Sequence, residues 1–118
     1  MARLSTIRWW HWLPIPWWWR LVATVEAADE IPERLPKRGA VLVGSRERPK
    51  WLAFDCPCRR GHRVMLSLDS ARKPRWDIRG RFLLTVSPSV NDRTLGTRCH
   101  YFIRNGRTAW ARDSESPR

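Results

Sequence analysis

The stretch that decides the fold lies at residues 54–66, FDCPCRRGHRVML. It places Cys56 and Cys58 around a proline, with His62 shortly after the second cysteine. A second pair, Cys99 and His100, follows much later in the chain. Structural zinc takes four thiolate or imidazole ligands in a tetrahedron, and two loops far apart in sequence can supply them. The pattern therefore predicts a zinc (Zn2+) site, with buried core thiols or redox chemistry as the alternatives.

Five residues compete for four ligand positions, and their order in the chain limits the choice. Adjacent residues on a regular strand point to opposite faces, so Cys99 and His100 would need a bulge to bind one metal together, and His62 is the reserve ligand. Three cysteines cannot all pair within one chain, and a Cys56–Cys58 disulfide would be very tight. Reduced thiols favour a cytoplasmic protein. The candidate metal ligands are Cys56, Cys58, His62, Cys99 and His100.

The residues around these motifs indicate short β-strands. Residues 62–68 alternate between apolar and polar side chains, as a half-buried strand does. Asn105-Gly106 predicts a hairpin turn between strands at 100–104 and 107–111. Residues 87–96 are predicted as a loop. The fold class is therefore mainly β, a small zinc-stapled sandwich or partly open barrel of short antiparallel strands. Further strands are predicted at 19–25, 40–44, 51–55, 76–78 and 81–86.

The chain of 118 residues divides into three predicted segments: a Trp-rich N-terminal extension at 1–18, a β-rich metal-binding domain at 19–112 and a disordered tail at 113–118. Residues 8–20 read RWWHWLPIPWWWR, which is too short and too proline-broken to cross a membrane. So many indoles predict an attachment surface for a partner, a second copy of the chain or a membrane interface, with base stacking as a further alternative. Three later tryptophans are predicted to anchor the core: Trp51, Trp76 and Trp110.

The formal net charge of +12 favours acidic partners such as nucleic acid, an anionic membrane or an acidic protein face, although a compositional bias toward arginine would give the same excess. Catalytic motifs are scarce. Residues 87–89, Ser-Pro-Ser, lack a G-x-S-x-G context, and no histidine can be placed beside them, so a turn is predicted there. The sequence therefore favours binding over catalysis and nominates no catalytic residue.

An ordered set of motifs resembles a known family. CPCRRGH, VMLSLD, PRW, LTVSPSV and CHYFIRNGRTAW fall in this order within residues 40–111, and together they resemble the bacterial domain of unknown function 6527 (DUF6527) family. The resemblance implies that Cys56, Cys58 and His100 hold metal. It also implies that some relatives are similar to proteins encoded beside bacterial ubiquitin-like conjugation genes. The chain departs from the family pattern at Arg60 and Thr97, where the family often has cysteines.

These observations predict a small basic zinc-binding accessory protein that acts by protein interaction, and the resemblance implies that it works in a bacterial ubiquitin-like conjugation pathway. The alternatives are a non-specific nucleic-acid-binding protein and a zinc-dependent hydrolase. The expected partners are pathway proteins, with nucleic acid, a membrane interface at the N-terminus and oligomerisation also open.

Overall fold

The computed structural model describes residues 6–13, 18–58, 60–93 and 96–115. Within these ranges eight strands form two four-stranded sheets that do not close into a barrel. The prediction of a mainly β fold is confirmed. The first sheet has the order β1–β2–β3–β4 and the second β5–β6–β7–β8. The strands are β1 Arg20–Val25, β2 Gly39–Gly44, β3 Pro49–Asp55, β4 Arg63–Ser67, β5 Asp77–Arg79, β6 Thr85–Asp92, β7 Cys99–Arg104 and β8 Arg107–Trp110.

The first sheet departs from the antiparallel expectation at one pair. β1 and β2 run parallel, whereas β2–β3 and β3–β4 are antiparallel. Parallel neighbours need a long crossover, and residues 26–38 supply it with one short 3₁₀ turn at Ala28–Glu30. Leu35 from this crossover packs with Val22, Val41 and Ala53 on the outer face of the sheet. The crossover therefore covers the face that the second sheet leaves open.

The hairpin predicted at Asn105-Gly106 is confirmed. β7 and β8 pair antiparallel up to Arg104 and Arg107, and both turn residues have positive φ, +49° and +79°. A turn of this kind matches the twist of the flanking strands. Gly106 has a second reason to be glycine, because a Cβ there would lie 2.6 Å from the Cβ of Trp18.

The boundaries predicted around residue 86 are wrong. β6 runs from Thr85 to Asp92, through the stretch predicted as a loop, and residues 81–83 are not strand. The register against β7 shifts between Val86 and Val90, around Pro88. Proline cannot donate to a ladder and is tolerated where the pairing is interrupted. Pro88, which favoured a loop in the sequence, therefore lies in an irregular part of strand β6.

The core lies between the two sheets. Phe54 and Leu52 from the first sheet pack in one cluster with Tyr101 and Ile103 from the second. Trp19 is 1% exposed, its ring lies 5.1 Å from that of Phe54, and its indole donates to Thr108 Oγ1 over 2.7 Å. This tryptophan thus belongs to the core and not to an exposed surface.

The three predicted aromatic anchors behave differently. Trp76 and Trp110 are partly buried and pack against the main core, as expected. Trp51 lies outside both core clusters and is half-buried, with the Arg72 guanidinium 5.5 Å from its ring centroid. The prediction of a core role therefore does not hold for Trp51.

The N-terminal segment presents aromatic surface in the part of the chain that the structure describes. Trp9, Trp10, Trp12 and Trp18 are exposed, whereas Trp17 lies outside the described residues. The buried Arg20 donates to the His11 carbonyl over 2.5 Å and so ties the segment to β1. The boundary at residue 18 and the attachment surface stay predictions. Within the described ranges no helix is long and apolar enough to cross a membrane.

The first residues of the predicted tail make polar contacts with the start of β7. The Glu115 amide donates to the Arg98 carbonyl over 2.7 Å, and the His100 amide donates to Ser114 Oγ over 3.2 Å. Residues 111–115 thus return alongside the start of β7. These local polar groups have partners on the strand, whereas residues 116–118 lie outside the described residues. The boundary and disorder of the tail at 113–118 stay predictions.

Candidate functional site

Two neighbouring strands, β6 and β7, carry polar side chains on both faces of the second sheet. Asp92 pairs with Cys99, and Asn91 pairs with His100. Since successive side chains on a strand alternate between faces, the first pair points into the core and the second points away from it. The burial of Cys99 and the half-exposure of His100 agree with this. Each face therefore holds its own group of reactive side chains.

The inner face completes a cluster of four buried metal-ligating residues, Cys56, Cys58, His62 and Cys99. Their donor atoms all lie within 4.8 Å of one another. His62 Nε2 lies 3.1 Å from Cys58 Sγ and 3.8 Å from Cys99 Sγ. Tetrahedral ligands around zinc, at bond lengths of about 2.0–2.3 Å, are roughly 3.5–3.8 Å apart. The four residues fit a Cys₃His site.

The loop that presents three of these ligands is closed by backbone and side-chain hydrogen bonds. The Cys56 amide donates to the His62 carbonyl over 2.9 Å, which brings the two ends of the loop together. The Arg60 guanidinium donates to Thr97 Oγ1 over 2.7 Å and joins this loop to the start of β7. Arg60 and Thr97 are the two positions where the DUF6527 pattern suggested further cysteines, so a direct contact links them here.

The surroundings of the cluster also fit a cation. Burial raises the pKa of the Cys56 thiol, so a thiolate there needs a positive partner. His62 Nδ1 lies 3.2 Å from Asp92 Oδ2. A carboxylate behind a ligating imidazole orients the ring and strengthens the other nitrogen as a ligand. The donor types, their spacing and the carboxylate behind His62 therefore all fit a zinc ion.

The outer face brings together Ser89, His100 and Asp113. Ser89 Oγ lies 2.9 Å from His100 Nε2, and His100 Nδ1 lies 2.6 Å from Asp113 Oδ1. An ionised carboxylate only accepts hydrogen bonds, so Nδ1 carries the imidazole proton and donates it. Nε2 of the neutral ring is then the acceptor, and the Ser89 hydroxyl donates to it. The hydrogen bonds run in one direction from serine to carboxylate.

Neighbouring groups hold each member of this set. Arg98 donates to Asp113 Oδ2 over 2.8 Å, while His100 occupies Oδ1, so both carboxylate oxygens are bound. The hydrogen bond from His100 is the main cause that lowers the pKa of Asp113, and Arg98 adds to it. The indole of Trp76 donates to the Ser89 carbonyl over 3.1 Å and fixes the backbone of the serine.

The structure sorts the five predicted ligands into two sites. Four of them meet on the inner face, and His100 lies with Ser89 and Asp113 on the outer face. The prediction that no histidine lies beside Ser87-Pro88-Ser89 is wrong, because β6 continues through that segment and pairs with β7. Strand alternation already separated Cys99 from His100, but no sequence signal gave the register that aligns Ser89 with the histidine.

A serine, a histidine and an aspartate joined in this order form the hydrogen-bonded triad of serine hydrolases. Their order along the chain is Ser…His…Asp, unlike the three orders known from the α/β-hydrolase, chymotrypsin and subtilisin folds. The chain belongs to the family described as bacterial ubiquitination-like system serine protease (BubE), whose family model matches residues 27–111. The match includes Ser89 and His100 and ends before Asp113.

The family match also bears on the resemblance described above. It agrees with the predicted setting, a bacterial ubiquitin-like system, but under a family name other than DUF6527. No curated protein and no solved structure matches the chain.

Proposed function

We propose that this protein is a serine hydrolase that cleaves peptide or isopeptide bonds within a bacterial ubiquitination-like system. The observation that carries the proposal is the unbroken set of hydrogen bonds from Ser89 Oγ through His100 to Asp113. The family description, a serine protease of such a system, supports it independently. Protein partners are then its substrates, which replaces the accessory role expected from the sequence.

The geometry supports a role for each residue. Asp113 holds His100 in the Nδ1–H tautomer, so Nε2 is free to accept the Ser89 proton. As Oγ attacks the substrate carbonyl, His100 takes that proton and then passes it to the leaving amine. The acyl group remains on Ser89 as an ester. Water activated by the same imidazole then releases the acid and restores the serine hydroxyl.

The inner-face cluster would hold structural zinc. Cys56, Cys58, His62 and Cys99 supply four protein ligands, which is the composition of a closed structural site and not of one that keeps a position for water. When bound, the ion links the loop at residues 56–62 to β7 and so contributes to folding. The three cysteines are buried thiols that form no disulfide, and such a site suits the reducing cytoplasm that we propose as the place of action.

A pair of serine variants tests the proposal. The substrate is the ubiquitin-like protein of the same system, made with a C-terminal extension, and product is measured by mass spectrometry. Ser89→Ala should lower kcat/KM by at least about 10³-fold, since the nucleophile is lost. Ser87→Ala, on the same strand, is the matched control and should change the rate less than about threefold. Cleavage that survives in Ser89→Ala at the normal rate would refute the proposal.

A further inference from the structure

We infer that the outer face of the second sheet binds an extended acidic segment of the substrate, across a row of arginines that begins four residues along β7 from His100. This inference rests on the proposed function, since it names the substrate class of the same site. The row consists of Arg79 on β5, Arg104 on β7 and Arg107 on β8.

Strand register places the three arginines side by side. Arg104 pairs directly with Arg107, and Arg79 pairs with Thr85. Thr85 precedes Val86, which pairs with Ile103, so Thr85 lies opposite Arg104. The Asn105 amide donates to Thr85 Oγ1 over 2.9 Å, in agreement with that register. Four residues therefore lie in one row across the sheet, in the order Arg79, Thr85, Arg104 and Arg107. All three arginines are exposed.

Like charges placed directly opposite on neighbouring strands destabilise a sheet. The Arg104–Arg107 pair is such a contact, and the nearby carboxylate on β5, Asp77, lies 3.4 Å from Arg75 instead. The row thus keeps an excess of positive charge at a cost to stability. An acidic ligand would remove that cost, and charge complementarity selects an acidic peptide over a basic one.

A path along β7 connects the row to the triad. Phe102 lies between them, with its ring centroid 5.9 Å from that of His100. The guanidinium of Arg104 stacks 4.3 Å from the Phe102 centroid, and the residue paired with Phe102 is the small Ala109. A partly buried aromatic ring beside an exposed alanine therefore leads from the histidine to the arginines.

The spacing along this path fixes where the acidic side chain should lie in the substrate. Four residues of strand span about 13 Å, at roughly 3.3 Å per residue. A substrate that runs extended beside β7, with its scissile carbonyl between Ser89 and His100, places a side chain about two to four residues away over Arg104 and Arg107. The shorter limit applies because Ser89 precedes Val90, the partner of Tyr101, and so lies nearer the row than His100 does. An aspartate or glutamate at that position would meet two guanidinium groups.

The first test measures binding to the full chain carrying Ser89→Ala. Two dye-labelled hexapeptides, one of alternating glutamate and glycine and one of alternating lysine and glycine, are compared by fluorescence anisotropy at low salt. The glutamate peptide should bind at least about tenfold more tightly, and Arg104→Glu with Arg107→Glu should abolish that preference. Arg48→Glu with Lys50→Glu, at exposed positions just before and within β3, changes the net charge equally and should change affinity less than about twofold.

Equal weakening by both double variants, or no preference for the glutamate peptide, would overturn the inference, because long-range charge alone would then explain the binding. If the double variant on β7 and β8 fails to fold by circular dichroism, Arg107→Gln alone on the edge strand should still weaken glutamate-peptide binding by roughly threefold.

The second test uses the wild-type chain and a quenched-peptide library, with cleavage sites read by mass spectrometry. Aspartate and glutamate should be enriched about two to four residues from the cut bond. Cleavage without that enrichment refutes this inference and leaves the proposed function standing. Absence of any cleavage refutes the proposed function, and the binding comparison still decides whether the arginine row takes an acidic segment.

Discussion

Cys99 and His100 are consecutive in the chain, yet β7 directs their side chains to opposite faces of the second sheet. Cys99 Sγ lies 3.8 Å from His62 Nε2 in the buried cluster, and His100 Nε2 lies 2.9 Å from Ser89 Oγ on the outer face. One dipeptide therefore contributes to a candidate metal site and to a hydrogen-bonded triad. Because the side chains are separated by the strand itself, mutation can affect either site alone.

Two histidine variants should separate the sites. His62→Ala removes a proposed zinc ligand, so zinc content should fall well below one ion per chain and the melting temperature should drop by about 10 °C or more. His100→Ala should keep about one zinc per chain and a nearly unchanged melting temperature, while hydrolysis is lost. Metal analysis and thermal unfolding of chelator-free preparations measure both. Zinc lost from His100→Ala and kept in His62→Ala would reverse the assignment.

Asp113→Asn should lower kcat by roughly 10²- to 10⁴-fold, because an amide no longer holds His100 in the tautomer that accepts the serine proton. Asp77→Asn is the control, since Asp77 is an exposed carboxylate on the same sheet that contacts Arg75. Steady-state kinetics on one substrate compare them. If the two variants have the same kcat, Asp113 has no role in orienting the histidine.

The Asp113 carboxyl should titrate below its ordinary value of 3.8, chiefly because His100 donates a hydrogen bond to it. A pKa depressed by folding means that the associated stabilisation is present above the ordinary pKa and is lost as the pH falls through the lower folded value. Carboxyl carbon NMR can follow this titration. In His100→Ala the pKa should rise toward 3.8, and by more than in Arg98→Ala. A larger rise in the arginine variant would contradict the order of causes.

The hairpin turn allows a matched pair of glycine substitutions. Gly106→Ala should destabilise the fold by about 3 kcal/mol, because a left-handed residue with a side chain is strained and its Cβ would lie 2.6 Å from that of Trp18. Gly96 also has a positive φ, but a Cβ there would meet no described residue within 4 Å, so Gly96→Ala should cost about 1 kcal/mol. Denaturant unfolding gives both values. Similar losses of unfolding free energy in the two variants would mean that Trp18 moves away from the added Cβ at no cost.

Features set by local rules could be predicted from the sequence. The Asn105-Gly106 turn needs two residues of positive φ in a row, and few dipeptides allow that. The separation of Cys99 from His100 follows from the two-residue period of any strand. The meeting of the loop at Cys56–His62 with Cys99 was predicted from ligand chemistry, since donors of one type gather around one ion.

Features set by long-range register could not be predicted. Ser89 reaches His100 only because β6 pairs with β7 across a register shift between Val86 and Val90, and no local pattern encodes that shift. Asp113 lies in a polar segment whose composition is typical of a disordered tail. Only the structure shows that this segment returns along β7. The parallel pairing of β1 with β2 likewise depends on the path of the crossover, which composition does not give.

Covalent labelling of the serine tests the central claim most directly. A fluorophosphonate reacts with a serine hydroxyl only where a base has activated it, so the intact chain should gain one adduct, and peptide mapping should place it on Ser89. His100→Ala should slow the labelling by at least about 10²-fold, while Ser87→Ala should label normally. No adduct on the zinc-loaded, folded chain, or an adduct on a serine other than Ser89, would contradict the account.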